Sequence, residues 1–169
     1  MPRSCRSHRG FTLIEVVVVM AVLAILALMA APNLTDRVVR KQVTETLEHV
    51  AFARQAVATK HALTGTFPAD NEEAGLPPAD RIVGTFLSSV TVDDGVLHLV
   101  FGNGANGALA GKRLSLRPAA VPDYPQVPVV WVCAGAAVPD KMEVQGTDAT
   151  DIPALHLPPG CRPAAKPKG

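Results

Sequence analysis

The sequence predicts an α+β fold in which a long N-terminal helix packs on a four-stranded antiparallel sheet. The first supporting observation is an apolar run at residues 16–35 that carries no charged side chain. The second is a stretch after Pro32 in which apolar residues recur at helical spacing. The third is a change, beyond Gly65, to short alternating segments separated by turn signals. With 169 residues, 48% of them hydrophobic, the chain is long enough for one folded domain and an N-terminal appendage.

The helix is expected to extend over about 50 residues, and its two halves differ. The first half, residues 11–35, is apolar on all sides and long enough to cross a bilayer. The second half, residues 36–62, is amphipathic, because its charged residues mostly lie opposite an apolar stripe. That stripe consists of Val39, Val43, Leu47, Val50, Val57 and Ala58. Pro32 is expected to kink the helix, since its ring clashes with the preceding turn and lacks an N–H donor.

The head, residues 63–169, is expected to begin where Gly65 ends the helix. Residues 69–86, rich in proline, glycine and acids, predict a long loop anchored by apolar side chains. Those anchors are Leu76, Ile82 and Val83. Four strands are predicted, at residues 87–92, 96–101, 112–117 and 127–133, with a hairpin turn at Asp94-Gly95. They form an antiparallel meander of the right size to pack against the amphipathic half of the helix.

The first ten residues are basic, with Arg3, Arg6 and Arg9 ahead of the apolar run. They match the charged region of an export signal, and the positive-inside rule keeps them cytoplasmic while the rest is exported. Three alternatives remain: a secretory signal cleaved after the apolar run, an unprocessed single-span anchor, and a lipoprotein signal. The first lacks a well-placed cleavage site near residues 29–33, and the last lacks an apolar run before Cys5.

Glu15 stands near the front of the apolar run, where a carboxylate is unfavourable. At the centre of a bilayer a charged side chain costs about 2.5–3.5 kcal/mol, and less toward the edge. Such a residue is expected to have a cationic partner. The alternative is that Glu15 compensates the helix dipole, worth about 0.3–1 kcal/mol, and both roles can coexist.

The chain has three cysteines, Cys5, Cys133 and Cys161. Removal of residues 1–10 would leave one pair, which predicts a disulfide formed in an oxidising compartment. Two unpaired buried thiols are the alternative. No Cys-x-x-Cys or His/Cys spacing indicates a metal site, and no cofactor is expected.

Residues 10–15, Gly-Phe-Thr-Leu-Ile-Glu, followed by the apolar run, resemble the prepilin motif of bacterial type IV pilins. The segments 65–68, 74–76, 131–133 and 157–162 resemble the body of a major-pilin-type subunit. The resemblance implies a ladle-shaped pilin fold whose C-terminal region is closed by a Cys133–Cys161 disulfide. It also implies a cleaved leader at residues 1–10, with the short leader and mature Phe11 indicating the a-type subclass.

The resemblance assigns roles to the motif. Gly10 would be the last leader residue, cut by a membrane aspartyl prepilin peptidase, and Phe11 would become the N-methylated N-terminus. Glu15, with Thr12 in the same assembly segment, would contact the terminal amine of a neighbouring subunit. Two positions depart from the common pilin pattern: Ala24 replaces a helix glycine, and Phe52 replaces a second helix proline.

The resemblance therefore implies a structural subunit of a type IV pilus that serves adhesion, twitching motility or DNA uptake. The expected partners are other filament subunits, the prepilin peptidase and an inner-membrane assembly platform. The subunit would sit in the inner membrane with its head in the periplasm, and then in the extracellular filament. One alternative is a type II secretion pseudopilin, against which the disulfide-bounded C-terminus stands.

A minor pilin acting as a DNA or surface receptor is the other alternative. A phosphate-binding patch would need Lys141, Arg162, Lys166 and Lys168 to gather near the disulfide, whereas such residues are usually a solvated surface. An enzyme is not expected. Ser88, Ser89 and Ser115 lack a nucleophile-elbow setting, and the histidines show no ligand spacing and no nucleophile partner. These are His8, His49, His61, His98 and His156; His98 is expected to face outward from its strand.

Overall fold

The computed structural model describes residues 11–29 and 34–163. The chain forms two compact units, Met1–Leu34 and Thr35–Gly169, and each is described by itself. The predicted kink at Pro32 and the predicted cleavage residue Gly10 lie outside the described residues. The first unit contains helix α1, Leu13–Met29, in which Glu15 lies in the first turn.

The second unit is called the head from here on, so the head now includes, ahead of the predicted globular region, the helices α2 (Leu34–His49) and α3 (Ala51–Thr64). Their buried face confirms four of the six residues of the predicted amphipathic stripe, while Leu47 and Ala58 are half-buried. Seven side chains at helical spacing are shielded from solvent. These are Val39, Val43, Thr46, Val50, Ala53, Val57 and His61. As predicted, α3 ends at Gly65, which has φ +77° and donates its N–H to the His61 carbonyl at 2.8 Å.

The prediction of an uninterrupted helix is wrong at Val50, which separates α2 from α3. Val50 has φ −89° and ψ 13°, outside the helical region. At this break the Arg54 guanidinium donates to the Leu47 carbonyl at 3.2 Å. The Arg54 side chain thus supplies a hydrogen bond to a helix-end carbonyl, which in an uninterrupted helix would accept a backbone N–H.

The head contains one antiparallel sheet, and its order β1-β2-β3-β4 confirms the predicted meander. The strands are β1 (Leu87–Asp93), β2 (Val96–Phe101), β3 (Arg113–Ala120), β4 (Val130–Cys133) and β5 (Glu143–Val144). The hairpin turn is confirmed at Asp94 and Gly95, which have φ 46° and φ 84°. The short strand β5, which pairs with β3, was not predicted.

Strand β3 is longer than predicted because Pro118 does not end it. Its register pairs Leu116 with Leu97 of β2, and farther along the same edge Ala119 pairs with Val144 of β5. Pro118 lies where that edge changes partner, and its carbonyl accepts the Gln145 N–H at 2.8 Å. Proline has no backbone N–H to donate, and a position between two partner strands tolerates that lack. Strand β4 begins at Val130, later than the predicted residue 127.

The core lies between the helices and one face of the sheet. Fully buried Leu97, Leu99 and Phe101 of β2 pack with the buried valines of α2 and α3. In β3, Leu114 and Leu116 join this core. Alternation along the strands places His98 and Ser115 on the opposite face.

The loop before β1 covers the outer edge of the sheet. The Asn71 side-chain amide donates to the Val90 carbonyl at 3.0 Å, and its oxygen accepts the Val92 N–H at 2.7 Å. Asn71 therefore satisfies edge groups that could otherwise pair with another chain. Of the predicted loop anchors, Ile82 is buried and Leu76 packs partly on the core, but Val83 is 52% exposed. The prediction for Val83 is wrong, because its side chain faces solvent.

Candidate functional site

The predicted assembly segment begins with Phe11 and Thr12, which precede α1. The Thr12 Oγ1 atom accepts the Glu15 N–H at 3.3 Å, and the Thr12 carbonyl accepts the Val16 N–H at 3.3 Å. Thr12 therefore caps the helix, a role that the Thr-x-x-Glu spacing could have indicated. Glu15 falls in the first turn, where unpaired N–H groups favour an anion.

Helix α1 exposes apolar side chains all around within its own unit. Val16 is 46% exposed, Met20 is 64% exposed and Ile14 is 71% exposed, and the other described side chains of the helix are exposed as well. Phe11, next to the helix, is 78% exposed. Apolar surface of this extent marks a site of association with protein or lipid. Glu15 is the single charged residue of α1.

Helix α1 has 17 residues. Among the described residues, no helix combines the length and the apolar character needed to span a membrane.

The C-terminal region of the head is closed by a disulfide between Cys133 and Cys161, 28 positions apart. Cys133 ends β4 and Cys161 lies in a short 3-10 turn, with Cα atoms 4.7 Å apart. Both residues are almost fully buried, and both belong to the main core. The bond therefore holds the last described part of the chain against the edge of the sheet.

Between the two cysteines, residues 143–151 form a strap over the outer face of the sheet. The strap begins as β5 beside β3, and its Ala149 N–H donates to the Ser115 Oγ at 3.0 Å. The Asp151 N–H then donates to the Arg113 carbonyl at 3.1 Å. Arg113 belongs to the part of β3 that does not pair with β4. Gly146, at φ +66°, crosses so close to Val96 that a Cβ would collide with it.

Beneath the strap, Ser115, His98 and Asp93 form a polar chain that the sequence did not reveal. Because the Ser115 Oγ accepts from Ala149, its own proton is available to His98 Nδ1, 3.0 Å away. His98 Nε2 then faces the Asp93 Oδ2 at 3.7 Å. Burial, and then the Arg113 charge, lower the His98 pKa, although Asp93 and Asp148 raise it in part. Ser115 is fully buried, so this chain of residues fastens the strap and offers no nucleophile to a substrate.

A second histidine ties the closed region to helix α2. His156, in the short turn before Cys161, lies 3.4 Å from Asp36 through its Nε2 and the carboxylate Oδ1. Both side chains are largely shielded from solvent. Asp36 is in the first turn of α2, so the C-terminal region contacts the helix where it enters the head.

The phosphate-binding patch that a receptor function would need is not assembled by the residues that the structure describes. Lys166 and Lys168 lie outside them. Arg162 is half-buried and donates through its Nε to the Leu157 carbonyl at 3.0 Å, while Lys141 is exposed. Across residues 11–29 and 34–163, no group of three metal-ligating side chains lies together either.

Comparisons with known proteins match both parts of the chain. The model of a family described as pilin (bacterial filament) matches residues 39–162. The model of the prokaryotic N-terminal methylation motif matches residues 5–31. Together they cover the head and the assembly segment with α1.

Curated relatives match along nearly the whole chain. A type IV major pilin protein PilE1 of Neisseria gonorrhoeae is 35% identical, over 93% of this chain and 88% of its own. A fimbrial protein of Neisseria meningitidis serogroup B is 31% identical, over 93% of this chain and 95% of its own. The fimbrial protein EcpC of Eikenella corrodens is 31% identical, over 94% of each chain.

These matches agree with the geometry: a helix with apolar surface on all sides, followed by a helix-and-sheet head closed by a disulfide. The pilin relatives are structural proteins. The chain therefore belongs to the pilin family, and it is a structural subunit of a bacterial surface filament.

Proposed function

We propose that the chain is the repeating subunit of a type IV pilus, made as a precursor and assembled through α1. The single observation that carries this proposal is the exposed apolar surface of α1, a helix that lies within the matched methylation motif. Copies of α1 packed together would remove that surface from water, at roughly 25 cal/mol per Å². The head, which has its own core, would form the outside of the filament.

Processing would create the assembly site. The prepilin peptidase would cut after Gly10 and methylate the amine of Phe11, while the inner membrane holds α1 and the periplasm holds the head. The Glu15 carboxylate, near the start of the capped helix, would then pair with the Phe11 amine of a neighbouring copy. The inner-membrane assembly platform would extract the subunit into the extracellular filament.

The relatives named as major pilins and fimbrial proteins support the main subunit over the alternatives of a pseudopilin or a minor pilin. A filament built from this subunit would serve adhesion, twitching motility or DNA uptake. The disulfide-closed head would carry the surface that meets host tissue or DNA.

The pairing of Glu15 is tested by the Glu15→Val variant in the native bacterium. We expect the variant to be inserted and cleaved but to give at least tenfold fewer surface filaments, because the neighbouring amine loses its anion. The measurement is the amount of subunit in sheared filaments, with mass spectrometry of the N-terminus for cleavage and methylation.

The matched control is Glu48→Val, which makes the same change at an exposed carboxylate of α2. Normal amounts of filament with Phe11 fully methylated in the Glu15 variant would refute the pairing. A wild-type subunit that is only a trace component of sheared filaments would refute the proposal that it is the main one.

A further inference from the structure

The loop between β2 and β3 contains the tripeptide Asn-Gly-Ala twice in succession, at residues 103–105 and 106–108. An asparagine that precedes glycine is prone to lose its side-chain amide, because the glycine nitrogen can attack that amide unhindered by a side chain of its own. The identical tripeptides give both asparagines the same local chemistry. A difference between them in the folded protein therefore comes from the structure around them.

Asn103 is exposed, but hydrogen bonds hold both groups that would react. Its Nδ2 atom donates to the Gly84 carbonyl at 3.0 Å and to the Leu87 carbonyl at 2.8 Å. The Gly104 N–H, which would attack, donates to the Thr85 carbonyl at 2.9 Å. These three hydrogen bonds must open before the glycine nitrogen can reach the side chain of Asn103.

Asn106 is half-buried, yet its reacting groups are free. Its Oδ1 atom accepts the Ala108 N–H at 3.0 Å, and this donor would stabilise negative charge that develops on the oxygen during attack. Within the described residues, neither the Asn106 Nδ2 group nor the Gly107 N–H donates a hydrogen bond. A Cβ atom added to Gly107 would meet nothing within 4 Å, so the peptide has room to turn toward the Asn106 side chain.

We propose that Asn106 is a site of spontaneous deamidation and that Asn103 is protected from it, although exposure alone would rank the two residues the other way. The Gly107 nitrogen forms a bond to the Asn106 Cγ atom, the Cγ–Nδ2 bond breaks, and ammonia leaves with the proton of the Gly107 nitrogen. Water then opens the resulting succinimide ring at either carbonyl. The product is aspartate or isoaspartate, with a carboxylate in place of the neutral amide and its proton released to solvent.

The two products differ in their effect on the head. The Asn106 carbonyl accepts the N–H groups of Leu109 and Ala110 at 2.8 Å and 3.0 Å, and Leu109 is fully buried in the core. Aspartate keeps the backbone and the Oδ1 acceptor, so this turn should persist. Isoaspartate routes the main chain through its side chain, which adds one atom before Gly107. That atom shifts the following peptides, so Leu109 should pack less well.

The proposal is tested by ageing the full-length protein in detergent and mildly alkaline buffer, which favours removal of the glycine proton. Mass spectrometry with fragmentation between residues 103 and 106 gives the rate of conversion at each asparagine. In the folded protein Asn106 should convert at least roughly tenfold faster than Asn103, because three hydrogen bonds must first open at Asn103. In concentrated urea the two rates should become similar, since the tripeptides are identical.

The matched variant is Gly107→Ala, whose methyl group meets open space in the fold but hinders the attacking nitrogen. It should remove most of the conversion at Asn106 and leave the rate at Asn103 unchanged. Conversion of Asn103 as fast as that of Asn106 in the folded protein would overturn the proposal. A folded protein that keeps Asn106 intact while the protein in urea converts would overturn it as well.

The effect on the head is measured by urea unfolding of the separated isoaspartate product beside an Asn106→Asp variant. The variant should unfold like the wild type, whereas the isoaspartate product should unfold at a lower urea concentration. An isoaspartate product as stable as the wild type would refute the effect on Leu109. These measurements are made on unassembled protein, so their outcome is separate from the filament assay at Glu15.

Discussion

The disulfide is expected to supply a large share of the stability of the head. The Cys133→Ala/Cys161→Ala variant removes a link that spans 28 positions. For a loop of this size the chain-entropy relation gives about 3.6 kcal/mol at 25 °C, before any structural relaxation is considered. Because whole domains are stable by only about 5–15 kcal/mol, the loss should be easily measured.

The assay is urea unfolding of the full-length protein in detergent, followed by the far-UV signal of the head. The variant should lose about 3–4 kcal/mol and show a steeper urea dependence, because its unfolded chain is more expanded. Cys5→Ala is the matched control and should behave like the wild type. A loss below about 1 kcal/mol would refute the reasoning, since it would mean that the strap and the core hold the region without the bond.

Two further predictions concern the head. Asn71→Ala should lower the free energy of unfolding by about 2 kcal/mol, because two side-chain hydrogen bonds to β1 and one to the Pro77 carbonyl are lost. Urea unfolding should show this loss, and Glu72→Ala, at an exposed neighbour, should have little effect. Burial lowers the pKa of His61 in the folded state, so the unfolded state binds protons more readily, and stability should fall as pH drops below about 6.5. His61→Phe should flatten that decline in urea midpoints measured between pH 7 and 5, and an unchanged slope would contradict the assignment.

The sequence was most informative where one side-chain period lasts long enough to imply a buried face. The stripe from Val39 to Val57 predicted the packed face of α2 and α3, and the alternation around Leu97 and Leu99 predicted β2. Turn chemistry was equally informative, since Gly65 and Asp94-Gly95 need left-handed backbone that few residues adopt. The cysteine count predicted the disulfide because one pair remained after the leader was set aside.

The strap could not be predicted, because its residues have no common period. Each of its anchors contacts β3 in a different way: Gln145 by a backbone bond to Pro118, Ala149 by a bond to a side chain, and Asp151 by backbone and carboxylate together. The sequence indicated only that Ser115 lacks a nucleophile-elbow setting, whereas the structure shows it fully buried beneath the strap. Such contacts depend on which distant segments of the chain meet in the fold, and the local sequence pattern does not predict this.

The break at Val50 shows the same limit within a helix. Nothing between Leu47 and Arg54 is a helix breaker by composition, and the buried positions keep helical spacing across the break. What compensates the break is Arg54, whose stem is half-buried and whose guanidinium takes the Leu47 carbonyl. The charged residues of the helix were predicted to lie mostly opposite the apolar stripe, and one of them, Arg54, bonds the carbonyl that the break leaves without its backbone partner.

Helix α1 presents the opposite case, in which the sequence indicates function more directly than structure. An amphipathic helix such as α2 finds its apolar partner within the same chain, so its pattern predicts packing. A helix that is apolar on every side cannot be covered by one small head, and its described side chains are indeed exposed. The exposed apolar surface of α1, with the single carboxylate of Glu15 beside it, therefore needs many neighbouring molecules to cover it. In the proposed filament, repetition of one subunit would supply such neighbours, and each would bring the Phe11 amine with which Glu15 is expected to pair.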